Sequence, residues 1–239
     1  NCGSSKVNIR AYLRHLDSLR LSVNVGSLIG HSTLRRTVVG PHANRPATED
    51  EMVEMERLLD EAMKDGALGL SSGLIYIPGA YSSTKELVRL AKVSARYNGV
   101  YASHMRSEAD AVSEAIDEAI LIGRESGCRV QLSHFKVAGR NNWGRSNETI
   151  RQVMDAREHG VNVIIDQYPY TAESTHVRTL LPKEFLSDGA DSVLARLRRP
   201  EARAFAKKFL LDNLKREKLK HFDYAVMASY RTDSDLNGK

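Results

Sequence analysis

Cysteine is nearly absent, with two in 239 residues, Cys2 and Cys128. That excludes a disulfide framework and makes a reducing cytoplasm the expected location. Long apolar runs are missing as well. Nothing approaches the ~18 consecutive apolar residues that a membrane span needs. The opening NCGSSKVNIR has no apolar signal core, so a soluble, unexported chain with no membrane partner is expected. Aromatic residues make up only 6%, and they do not interleave with the cations behind the formal charge of +5. The excess cations gather in LARLRRPEARAFAKK and NLKREKLKH, which read as solvated helix faces and not as a nucleic-acid surface. Tandem hairpin turns, internal repeats, low-complexity tracts and Gly/Ser/Pro-rich linkers are absent too, so one core is the default.

What is present is a repeated alternation of short β-rich runs and helical patterns. The β-rich runs are SVNVGSLIG to Gly30, ALGLSS to Ser72, VYASH to His104, VQLSH to His134 and VNVIIDQY to Tyr168. Between them, TEDEMVEMERLLDEAMKDG puts Met52, Met55, Leu59 and Met63 on one face, and Val112, Ala115, Ile116, Ala119 and Ile120 repeat the stripe. Ile150, Val153 and Met154 suggest a third. Ser83 with Glu86 predicts a capping box, and Gly99, Gly127 and Gly160 punctuate helix-to-strand turns. This is the grammar of βαβ units in a parallel sheet. An open doubly wound sheet would share it. A (β/α)8 TIM-type barrel is favoured because His31, Ser72, His104, His134 and Tyr168 fall at or just after strand carboxyl ends, where barrel enzymes collect their chemistry. Beyond Pro182 two helical stretches, SVLARLRR and EARAFAKKFLLDNLKREKL, and an expected strand, YAVMASY, read as an elaboration of the same domain over residues 183–239.

Two runs end alike, in YASHMRSE and QLSHFK. Strand side chains alternate faces, so His104 should point with Arg106, and His134 with Lys136, if the extended geometry continues. Imidazoles from adjacent barrel strands make good zinc ligands, whereas capping or core histidines held by backbone carbonyls are the alternative. The repetition of SH at matching strand ends favours the ligand reading. A catalytic zinc normally takes three protein ligands, and Cys2 is the candidate third. Cys128 precedes its strand, at the opposite end from the chemistry, and is expected to be structural.

GHSTLR, GALGLSSGLIYIPGAYSSTKELVRLAKV, YASHMRSE, QLSHFKVAGRNNWG and DQYPYTAEST, in this order, resemble the D-aminoacylase (N-acyl-D-amino-acid deacylase) family of metal-dependent amidohydrolases. The resemblance runs from about residue 23 to 182 and more weakly to the end. It implies an amidohydrolase barrel that hydrolyses the amide of an N-acyl-D-amino acid, a small-molecule substrate, with one or two zinc ions. It implies Cys2, His104 and His134 as metal ligands. It further implies Tyr76, Lys136, Tyr168 and Ser174 as residues near the substrate, where hydroxyls and an ammonium hold a carboxylate and orient an amide.

The chain departs from the family's pattern in three places. No HxH pair, which in the family helps to bind a second metal, occurs in the sequence. The family's general-base aspartate, near the end of its barrel, is expected outside this chain, and Asp166 and Asp235 are poor substitutes. The stretch between NCG and GHSTLR is shorter than the family's. The expectation is therefore an incomplete barrel spanning residues 1–239, with first and last strands missing and the catalytic base unassigned. A truncated barrel that binds metal or a partner without turnover is the alternative.

Overall fold

The computed structural model describes residues 3–40, 44–186 and 190–239. Its centre is a parallel sheet of five strands: β1 (Ile29–Gly30), β2 (Gly69–Gly73), β3 (Val100–His104), β4 (Arg129–Leu132) and β5 (Val163–Ile165). The strands lie side by side in chain order, with no reversal. Leu70, Tyr101, Val130 and Val163 pair across it in register, and each is at most 1% exposed. The connecting helices are α2 (His31–Val38), α3 (Glu49–Lys64), α4 (Thr84–Arg96), α5 (Val112–Ser126) and α6 (Ser146–Glu158). They share one apolar cluster with that row of strand residues. The opposite face carries Ser71, Ala102, Gln131 and Ile164 in register, and none of these belongs to the cluster.

The stripes of α3 and α5 behave as their periodicity dictates. Met52, Met55, Leu59 and Met63 are buried in α3, and Val112, Ala115, Ile116, Ala119 and Ile120 in α5. Helix α3 starts in a complete capping box between Thr48 and Glu51. Helix α5 ends on Gly127 at φ 70°, the left-handed cap that glycine adopts without a Cβ clash.

Four local expectations need correction. Ser83 caps α4 by accepting from the Glu86 N–H, but the Glu86 side chain does not return to close a box; it turns to His31 and Arg35. In α6 the buried residues are Thr149, Val153 and Ala156, whereas Ile150 and Met154 are nearly half exposed, because the helix presents a neighbouring face to α5. The SVNVGSLIG run is a strand only at Ile29–Gly30, since at the sheet edge its one neighbour is β2. YAVMASY forms no strand: the Met227 backbone pairs with Gly238 and Lys239, and Val226 lies in solvent. The late helices are α7 (Ala190–Leu197) and α8 (Pro200–Arg216), with Pro200 in the first turn of α8 where its missing N–H costs nothing. Helix α8 is mostly solvated, as its charge pattern implied, with Ala206 and Leu214 as its buried residues. No helix among the described residues is long and apolar enough to cross a membrane.

Candidate metal and substrate site

His104 is the last residue of β3 and lies in register with Gly73 of β2. Its carbonyl accepts from the Leu74 N–H at 3.0 Å, which fixes the strand end. The alternation of β3 sends Tyr101 to the helices and His104 to the opposite face, where it is 7% exposed. Neither ring nitrogen of His104 has a hydrogen-bond partner among the described residues. A buried imidazole without partners is costly, since each polar group was solvated before folding. The ring centroid of His134 lies 4.5 Å away, at an interplanar angle of 72°.

His134 reaches that position by a different route. Strand β4 stops at Leu132, and Asp166, just past β5, clamps the following turn. The Asp166 carboxylate accepts from the His134 N–H at 2.6 Å and its carbonyl from the Phe135 N–H at 2.7 Å. Within this clamp His134 adopts φ 43°, a left-handed conformation uncommon for a side-chain-bearing residue.

Glu108, from the turn after β3, completes a group of three candidate ligands whose nearest donor atoms lie within 4.8 Å of one another. Its Oε1 is 2.7 Å from His134 Nδ1, and its Oε2 is 2.7 Å from Lys136 Nζ. Burial pushes the Glu108 carboxyl up, but hydrogen bonds from His134 and Lys136 and the nearby positive charge hold it below the ordinary carboxylate value. Lys136 also packs over the Tyr168 ring, 5.4 Å from its centroid, and lies 3.9 Å from Glu173. Tyr76 brings its ring to 5.0 Å from His104, and its hydroxyl bonds Thr175 at 3.2 Å.

The expected residues are thus gathered unevenly. His104, His134, Lys136, Tyr168 and Tyr76 form one continuous set. Ser174 is exposed, though its neighbours Glu173 and Thr175 reach the set. Cys2 lies outside the described residues. The residues that follow it dock beside the site. Gly3 adopts φ 78°, accepts from the Ser32 N–H at 2.8 Å, and sits so close to β2 that a Cβ would stand 2.6 Å from the Gly73 nitrogen. Ser5 Oγ then accepts from the Gly30 N–H at 2.8 Å.

Two sequence expectations fail here. Arg106 does not point with His104: the strand ends, and the guanidinium turns to Glu118 at 2.9 Å and to the carbonyls of Ala80 and Ser82. His31, although it follows a strand end, is fully buried in a separate network with Glu86 and Arg35. Glu108 was not anticipated as a site residue, and its position four residues after His104 was the available signal. Cys128 is buried at the amino end of β4, its Sγ 3.6 Å from the Gly99 carbonyl, and burial pushes its thiol up.

No family model matches the chain. Among curated proteins, an N-acyl-D-glutamate deacylase of Alcaligenes xylosoxydans xylosoxydans is 40% identical over 164 residues, covering 69% of this chain and 33% of that protein. An N-acyl-D-aspartate deacylase of the same organism is 42% identical over 170 residues, covering 71% and 34%. Among solved structures, an N-acyl-D-glutamate deacylase of Bordetella bronchiseptica, complexed with zinc and a phosphonate mimic of the tetrahedral intermediate, matches with a TM-score of 0.65. It is 42% identical, over 68% of this chain and 34% of that one. A D-aminoacylase described as defining a novel subset of amidohydrolases matches with a TM-score of 0.68 at 40% identity, over 72% and 37%. This chain spans about one third of the length of the relatives it matches. Over most of its own length the chain is therefore similar, at about 40% identity, to D-aminoacylases and N-acyl-D-amino-acid deacylases.

Proposed function

We propose that this chain forms the metal-binding and carboxylate-binding part of a zinc-dependent deacylase, which hydrolyses an N-acyl-D-amino acid to a carboxylate and a free D-amino acid. The observation that carries the reading is the pair of converging imidazoles from adjacent strand ends, one of them buried with no partner for either nitrogen among the described residues. The His104 ring is under-satisfied by the described residues alone, and two imidazoles so placed suit one or two cations. Imidazole with the thiolate of Cys2 is a donor set that fits zinc, held by Cys2, His104 and His134. Bound zinc would lower the pKa of a water from 15.7 towards ~7 and polarise the scissile carbonyl.

The chain's own residues supply the orientation. The ammonium of Lys136, packed over Tyr168, faces the same space as His104 and Tyr76 and is suited to a substrate carboxylate. Tyr76, Tyr168 and Ser174 add hydroxyls that hold the carboxylate and orient the amide. Fixing both ends of the substrate converts a loose encounter into a near-attack geometry. We assign the proton-shuttling aspartate to a part of the enzyme outside these residues.

The sheet supports a (β/α)8 barrel. Five parallel strands in chain order with helices on one face are the product of right-handed crossovers without reversal, which an open doubly wound sheet lacks. On this reading residues 1–239 are one partial barrel domain, residues 183–239 are an insertion, and the scarcity of cysteine suits the cytoplasm. The alternative is a barrel segment that holds metal or a partner without turnover.

Elemental analysis paired with a deacylation assay on several N-acetyl-D-amino acids separates the two. His134→Asn should remove most bound zinc. Full metal content in that variant would end the ligand assignment.

A further inference from the structure

Resting on the zinc reading above, we propose that Glu108 is a positioning residue and not a metal ligand: one carboxylate oxygen orients the His134 ring and the other fixes the Lys136 ammonium. Glu108 has the chemistry of a third ligand, and its donor atom falls within the same small cluster as the two imidazoles. Its contacts favour the other role. Oε1 takes a hydrogen bond from His134 Nδ1 at 2.7 Å, while Oε2 pairs with Lys136 Nζ at 2.7 Å. Lys136 Nζ also lies 3.2 Å from the same Nδ1, but the ammonium has stronger acceptors in Glu108 Oε2 and in the His134 carbonyl at 3.0 Å. Nδ1 therefore keeps its proton for Glu108, and Nε2 is the ring atom that ligates.

A carboxylate behind a metal-bound imidazole fixes the tautomer and the ring direction, and its loss typically lowers metal affinity ~10–100-fold. Glu108 is built for such fixity. It is mostly buried, its carbonyl accepts from the Ala138 N–H at 2.6 Å, and nearby Asp110 is tied to Asn142 at 2.8 Å. The unpartnered nitrogens of His104 show that Glu108 serves one imidazole and not both. Its second oxygen joins the metal side to the substrate side: the group that orients the ligand also holds the ammonium that receives the substrate carboxylate.

Two variants separate the arms. Glu108→Ala removes both and should weaken zinc binding ~10–100-fold in competition with a chromophoric chelator. At saturating Co2+ its visible absorption should keep the wild-type band pattern, because no ligand has been lost. Glu108→Gln keeps a carbonyl for His134 but presents an amide to Lys136. Its zinc affinity should stay near wild type, while the dissociation constant of N-acetyl-D-leucine, read by calorimetry on the zinc-loaded chain, rises. A changed Co2+ spectrum at saturation in Glu108→Ala would make Glu108 a ligand and overturn the proposal. Unchanged zinc affinity in Glu108→Ala would overturn it as well, as would zinc binding in Glu108→Gln as weak as in Glu108→Ala. Failure of the wild-type chain itself to bind zinc would refute the underlying zinc reading instead.

Discussion

Replacing Arg35 by Met should unfold the protein at a much lower temperature, although Arg35 lies outside the candidate site. The guanidinium is fully buried and donates from Nη1 to both oxygens of Glu86, at 2.7 and 2.6 Å, and from Nη2 to the Arg45 carbonyl at 2.6 Å. Without it Glu86 keeps His31 Nε2 at 2.7 Å and a long contact from the Ala47 N–H at 3.4 Å. Removing one partner of a buried pair leaves an uncompensated charge, which costs about 3–5 kcal/mol. At ~2–4 °C per kcal/mol for a chain of this size, Tm should fall by about 6–20 °C, read by circular dichroism. Arg35→Met with Glu86→Gln should recover part of that loss, because the neutral amide still accepts from His31 and carries no orphaned charge. A single variant within about 1 kcal/mol of wild type would refute the reasoning, as would a double variant whose loss equals the sum of the singles.

The same network sets an acid limit. Burial drives the His31 pKa below the ordinary 6.5, so the folded protein keeps the ring neutral while the unfolded chain takes a proton as pH falls. Its stability contribution is whole above about pH 6.5 and declines below it. Burial pushes the Glu86 carboxyl up, but His31 and Arg35 outweigh that and hold it below 4.5, so a second loss begins under that value. A Tm that stays flat in a series from about pH 8 to 5 would contradict the first step. Tyr101 tests a quieter contact. Its hydroxyl, pushed up to about 12 by burial, meets Ser72 Oγ at 2.8 Å and Ser103 Oγ at 3.4 Å. Tyr101→Phe should cost about 1 kcal/mol in urea unfolding and leave zinc content unchanged. A loss of zinc would show that this hydroxyl cluster on the helix side bears on the site.

Sequence legibility followed the reach of each local rule. The period-2 alternation holds through His104, the last residue of β3, and the heptad-like spacing of Met52, Met55, Leu59 and Met63 found the buried stripe of α3. The alternation fails one step past the strand, so Arg106 was assigned to the wrong surroundings, and Glu108 was invisible as a partner of His134. Ser83 and Glu86 satisfied a local capping rule, yet the buried Arg35 is a stronger partner for that carboxylate than a backbone N–H. YAVMASY had strand composition, but the described structure gives it no sheet neighbour to complete its hydrogen bonds. Each of these depends on residues far away in the chain, which a pattern of neighbours does not encode.

Charge explains why the histidines at strand ends have different fates. His31 and Glu86 could offer a nitrogen and a carboxylate to a cation, but Arg35 places a permanent positive charge on both carboxylate oxygens. A divalent ion there would displace that ion pair and face the guanidinium in a water-free setting, where repulsion is barely screened. At His104 and His134 the nearby cation is Lys136, and it is already paired with Glu108 at 2.7 Å and lies 3.9 Å from Glu173. The ammonium is therefore already matched by carboxylate charge, and neither ring nitrogen of His104 has a partner among the described residues. A cation entering this side meets a His104 ring with no hydrogen-bond partner among the described residues, whereas at His31 it meets a network already complete in charge. The fold thus uses one strand-end histidine to lock α2 to α4, while the next two converge on each other at neighbouring strand ends.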